Sequence, residues 1–154
     1  MASLNLKIVS GGQTGVDRAA LDWAHSLGLA RGGWCPRGRR AEDGPIPAGY
    51  PLQETQEADY AVRTRLNVRD SGATLILTRG PPSGGTRLTR HLAGELARPV
   101  LVIDFEDADK AAAARVAEWI AEEGIKVLNV AGPRESTSPG IYRQAADFLA
   151  ALPA

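Results

Sequence analysis

The amino-acid sequence predicts an α/β fold, a doubly wound and mainly parallel sheet with helices on both faces. Three observations carry this. Short apolar runs of strand length alternate with segments of helical periodicity. Two strand-to-helix junctions, at residues 10–15 and 83–86, are rich in glycine. A chain of 154 residues can bury roughly 70% of its unfolded surface around one core, so residues 1–154 are expected to form a single domain.

Residues 4–10 are rich in Leu, Ile and Val and stop at Gly11-Gly12, the pattern of a buried strand feeding a tight turn. A helix is expected next, with Thr14 as N-cap and Asp17 as the acidic half of a capping box. Val16, Ala19, Ala20, Trp23, Ala24 and Leu27 then recur at helical spacing before Gly28. Residues 31–53 hold five glycines and four prolines, too many for a long regular element. Apart from a short strand at 33–35 they read as a loop, ordered by Trp34 and Tyr50.

Residues 56–68 show a helical face through Tyr60, Ala61, Thr64 and Val68. Strand 73–78 runs into Gly80-Pro81-Pro82-Ser83-Gly84-Gly85-Thr86, and a helix follows with Leu88, Leu92, Leu96 and Ala97 on one side. Residues 99–104 form a strand, 108–123 a helix around Ala112, Val116, Trp119 and Ile120, and 126–131 a last buried strand. Ser138-Pro139 is expected to open the final helix, with Ile141, Ala145, Phe148 and Leu149 facing inward. The alternation gives a Rossmann-like sheet with right-handed crossovers.

The bulk numbers exclude several classes. Hydrophobic residues at 44% and charged residues at 23% describe an ordinary globular chain. Eighteen basic and eighteen acidic side chains cancel, leaving no bulk positive field, so nucleic acid is not an expected partner. The apolar N-terminal run is far shorter than a signal segment or the roughly 20 residues that span a bilayer, so no membrane association is expected. A lone cysteine, Cys35, fits a reducing compartment, the cytoplasm. His25, His91 and Cys35 lack metal-ligand spacing, so no metal site is expected.

In open parallel sheets ligands collect beyond the carboxyl ends of the strands, the edge that both glycine turns occupy. Gly11, Gly12, Gln13, Thr14 and Gly15 form one turn and Ser83, Gly84, Gly85 and Thr86 the other. Small residues before a helix N-terminus let amides and the helix dipole meet an oxyanion, so a small phosphorylated ligand is the expected partner. The alternative is a purely structural turn. Neither turn carries the lysine of a P-loop, and no GxGxxG is present. Arg37, Arg39 and Arg40 either clamp the ligand from the loop or form a solvated basic surface beside Glu42 and Asp43. Arg63 and Asn67 share a helical face with Thr64; they read a ring edge, or else Arg63 pairs with an acid and Asn67 caps the helix. Asp17 is a candidate general base as well as a capping residue, and Asn129, Arg134 and Ser136 either complete the pocket or fasten the last helix.

The segments SGGQTGVDRAALD at 10–22, GGWCPRGRRAEDG at 32–44, YPLQE at 50–54, RTRLNVRDSGATLIL at 63–77, SGGTRLT at 83–89 and LNVAGPRES at 128–136 resemble the putative molybdenum carrier family, within the Rossmann-like group that includes DprA and the LOG proteins. The resemblance implies a bound molybdenum cofactor (molybdopterin) or a nucleotide. LOG enzymes release a base from a nucleoside monophosphate with a PGGxGTxxE segment. Here Thr89 stands where its glutamate falls, so that activity is not carried over, whereas the phosphate-binding role of Gly84, Gly85 and Thr86 is.

The leading expectation is a non-catalytic binding or carrier protein. A nucleotide-processing hydrolase using Asp17, Glu42 or Asp43 as base, and a nucleotide sensor acting through an oligomeric interface, are the alternatives. A homo-oligomer associating through helices, with Trp23 or Trp119 on the contact surface, is expected from the resemblance.

Overall fold

A computed structural model describes residues 5–152; position 4, the expected start of the first strand, lies outside them. The elements in chain order are β1 (Lys7–Val9), α1 (Val16–Ser26), β2 (Ala30–Gly32), β3 (Trp34–Cys35), β4 (Arg40–Ala41), β5 (Gly44–Pro45), β6 (Gln53–Glu54), α2 (Tyr60–Arg69), β7 (Ala73–Thr78), α3 (Gly84–Glu95), β8 (Val100–Asp104), α4 (Ala112–Glu122), β9 (Val127–Ala131) and α5 (Ile141–Ala150). Five strands make one sheet in the order β2-β1-β9-β7-β8, and every pairing in it is parallel.

This order positions the site. The chain leaves β1 toward β2 and leaves β7 toward β8, in opposite directions across the sheet. Right-handed crossovers therefore put α1 and α3 on opposite faces. The packing agrees: Val16 and Ala20 of α1, Val116 of α4 and Leu149 of α5 share one core with Ile8, Leu75, Leu77 and Val130, while Val68 of α2 packs with Leu92 and Ala93 of α3 in a second cluster. Every residue of β7 is buried, as a strand covered on both faces must be. β9 lies between β1 and β7, so a crevice opens where their carboxyl ends diverge, over the end of β9.

Several expected boundaries shift for local reasons. Gly15, at φ 81°, caps α1 in place of Thr14, whose hydroxyl bonds the Glu42 carboxylate and accepts from the Glu135 amide. Asp17 does not complete a capping box; its Oδ2 accepts from the Gln13 amide at 3.2 Å and so closes the turn. α5 starts at Ile141 after Gly140 and not at Pro139, because the Glu135 carboxylate accepts from the Gly140 and Tyr142 amides and caps the helix there. α2 starts at Tyr60, where Asp59 is the N-cap. β2 is not expected from the sequence, where residues 31–32 fall in the 31–53 loop, because its Ala-Arg-Gly sequence lacks the apolar run of a buried strand.

The remainder of the 31–53 segment folds as a small layer of its own. β3 pairs with β6 and β4 with β5, around Cys35, Ala41 and Ile46. Arg39 donates to the carbonyls of Ile46, Leu52, Pro47 and Tyr50. Trp34 and Tyr50 tie the layer to the main body, through Asp70 and Asp22. Trp23 is buried in the core, which removes it from any contact surface. No described helix is long and apolar enough to cross a membrane.

Candidate functional site

Beyond the carboxyl ends of β1, β7 and β9 lies a cavity of about 310 Å³. Both glycine turns reach it. Gly11, Gln13 and Asp17 line it from the β1 side, Ser83, Gly84, Gly85 and Thr86 from the start of α3, and Tyr60, Arg63 and Asn67 from α2; the chain leaving β9 adds Gly132, Pro133 and Arg134.

The two turns are chemically unlike. At the start of α3, Ser83 makes no side-chain capping bond and the first turn holds no acidic residue. The Thr86 and Arg87 amides return to the Ser83 carbonyl, but among the described residues nothing accepts from the Gly84 and Gly85 amides. Gly84 has φ 51°, and a Cβ on Gly85 would meet nothing within 4 Å. This is an open helix N-terminus with its donors and partial positive charge unspent. At the β1 turn the Gln13, Thr14 and Val16 amides are already taken, by Asp17 Oδ2, Gln13 Oε1 and the Pro133 carbonyl. That turn offers the cavity side chains more than amides.

The glycines there serve packing. A Cβ on Gly12 would meet Leu52 at 2.5 Å and Ile46 at 2.9 Å; one on Gly15 would meet the Pro133 carbonyl at 2.4 Å. Neither residue lines the cavity, nor does Thr14. Gly11 is different: a Cβ would stand 1.7 Å from Arg63 Nη1, so its missing side chain is the space that the guanidinium occupies.

Arg63 faces Asp17 at 3.5 Å. Burial pushes the Asp17 carboxyl above its ordinary 3.8, and Arg63 and the Gln13 amide only partly offset this. It is the one carboxyl group among the lining residues. Glu42 and Asp43, the other candidate bases, do not line the cavity. Burial raises Glu42, but hydrogen bonds from Ser136 and Thr14 outweigh it and hold the carboxyl below its usual range. Asp43 is held low by its bond to Arg18. At the position of the LOG glutamate, Thr89 donates to the Gly85 carbonyl at 3.0 Å.

The loop arginines stand apart from the cavity lining. Arg37 is exposed, and the guanidinium of Arg39 is spent on loop carbonyls. Arg40 reaches only the rim, over the Tyr60 ring at 4.6 Å. Asn67 does not cap α2; its Oδ1 accepts from the Trp34 amide at 2.8 Å and its Nδ2 donates to the Trp34 carbonyl at 3.0 Å, fastening β3 to α2. Tyr60, read in the sequence as part of a packing face, sits at the cavity with Arg63 and Arg134 each 5.4 Å from its ring. Its spacing of three from Arg63 was the available signal. Among the described residues no group of three His, Cys, Asp or Glu side chains is placed to hold a metal.

A parallel doubly wound sheet with its cavity at the reversal of strand order is a Rossmann-like architecture. The model of the circularly permutated YpsA SLOG family matches residues 8–152, and the chain belongs to that family. It is also similar to a crystal structure of a putative molybdenum carrier protein from Syntrophus aciditrophicus SB, with 44% identity over 97% of this chain and 96% of that one and a TM-score of 0.95. No curated protein matches the chain.

Proposed function

We propose that the protein binds a phosphorylated small molecule without converting it, as a carrier or binding protein, with the phosphate on the Gly84 and Gly85 amides. The observation that carries this is the uncapped α3 N-terminus opening into the same cavity as Arg63. Ser83 and Thr86 supply hydroxyls to the same group. Gly11, Gln13 and Asn67 shape the opposite wall, Gly12, Thr14, Gly15 and Arg39 act as scaffold, Arg40 stays at the rim, and the exposed Arg37 takes no part. The molybdenum cofactor is one candidate cargo, supported by the name of the similar crystal structure; a nucleotide is the other, supported by the Rossmann-like site.

Replacement of Gly85 by valine fills open space and leaves the fold intact, so phosphate and AMP affinities measured by calorimetry should collapse while the melting temperature holds. Unchanged affinity would refute the placement. A second reading, hydrolysis of a nucleotide, draws on Asp17, the buried carboxyl beside the cavity. Released base from a panel of nucleoside phosphates would favour it.

A further inference from the structure

We infer that the cavity takes a ligand with two anionic groups, an organic diphosphate or bisphosphate, the second group lying on Arg134 beside Tyr60. This rests on the reading that a phosphate sits at α3, and adds what the other end of the cavity holds.

Three guanidiniums gather on one ring: those of Arg40, Arg63 and Arg134 lie 4.6, 5.4 and 5.4 Å from the Tyr60 centroid. Like charges this close repel, and two of the three have other partners. Arg63 faces Asp17, and Arg40 donates to the Ala58 carbonyl at 2.8 Å. The Arg134 guanidinium makes no hydrogen bond or ion pair with any described residue. Glu42 lies within its electrostatic reach, but that carboxylate is turned to the Thr14 and Ser136 hydroxyls.

A second observation points the same way. Gln13 Oε1 accepts from the Thr14 amide at 3.1 Å and the Glu42 amide at 2.9 Å, which fixes the amide so that Nε2 is a donor. That Nε2 is buried and without a partner, and so is Arg63 Nε; both residues line the cavity. Buried donors left unpaired are costly, and with no acceptor beside them among the described residues they leave this wall with excess positive character. The lining thus carries two guanidiniums against one buried carboxyl, together with the open α3 terminus. β7 and β9 are neighbours, and adjacent strands lie about 4.8 Å apart, so the ends that carry α3 and Arg134 are within reach of one small molecule.

Calorimetry with phosphate, pyrophosphate, AMP, ADP and adenosine 3′,5′-bisphosphate tests this. At least one two-phosphate ligand should bind roughly tenfold to hundredfold more tightly than its monophosphate partner. Arg134→Gln should erase that gain and spare monophosphate binding, and Arg134→Lys should restore part of it. ADP against the bisphosphate tells adjacent from separated phosphates. Monophosphate binding with no gain, or a gain that survives in Arg134→Gln, overturns this inference alone. Failure of every probe to bind overturns the phosphate site and this inference with it.

Discussion

The guanidinium of Arg63 occupies the volume that a side chain on Gly11 would fill, 1.7 Å from where its Cβ would stand. A glycine that ends a strand is thereby tied to a charge pair at the cavity wall. Gly11→Ala should displace Arg63 and leave the buried Asp17 without its cation. The cost expected at neutral pH is about 3 kcal/mol, the low end for breaking a buried pair, because the carboxyl can take up a proton instead. Urea unfolding checks the value, and the same change in an Asp17→Asn background should cost distinctly less.

Asp17 also sets a pH dependence. Its folded-state affinity for a proton exceeds that of the unfolded chain, so its contribution to stability is fully present below the ordinary value of 3.8 and is lost as pH rises through the raised one. Asp17→Asn should remove that decline, up to about 1.4 kcal/mol per pH unit for one proton. Denaturation midpoints across the acid range would show it; an unaltered slope would count against the buried carboxyl.

Glu42 and Asp43 act in the opposite sense. Both are held below their usual values by hydrogen bonds, so their contribution is present above those values and fades as pH falls through the depressed ones. Both are largely exposed, and the effect should be local loosening. Hydrogen-exchange protection factors, normalised to the intrinsic rate at each pH, should fall in residues 36–55 on acidification, and Glu42→Ala should produce the same change at neutral pH.

Two tyrosines share one carboxylate. Tyr50 and Tyr142 both donate to Asp22, linking the loop layer and α5 to α1. Burial, and then Asp22, push both phenols up to about 12. Asp22→Asn should bring both part of the way back toward 10, read by the phenolate absorbance in an alkaline titration.

Periodicity and composition were enough to locate most of the sheet strands and all five helices, because those signals are local. Strand β7 was legible to the residue; its unbroken apolar run reflects burial on both faces. The open helix N-terminus behind the glycine turn at 83–86 was legible too, since the amides, the helix and the missing side chains are contiguous in sequence.

What required the tertiary structure was every relation between distant residues. Arg39 looks like a free cation until the chain doubles back and presents four carbonyls to it. Arg134 reads in the sequence equally as a pocket residue or a helix fastener, and only the end of β9 brings it to Tyr60. The chain alone therefore determined the five helices, most of the sheet strands and the two glycine turns. Folding decided which polar groups neutralise one another and which are left facing the cavity, because hydrogen bonds and charges are satisfied in space, by partners that sequence spacing does not reveal.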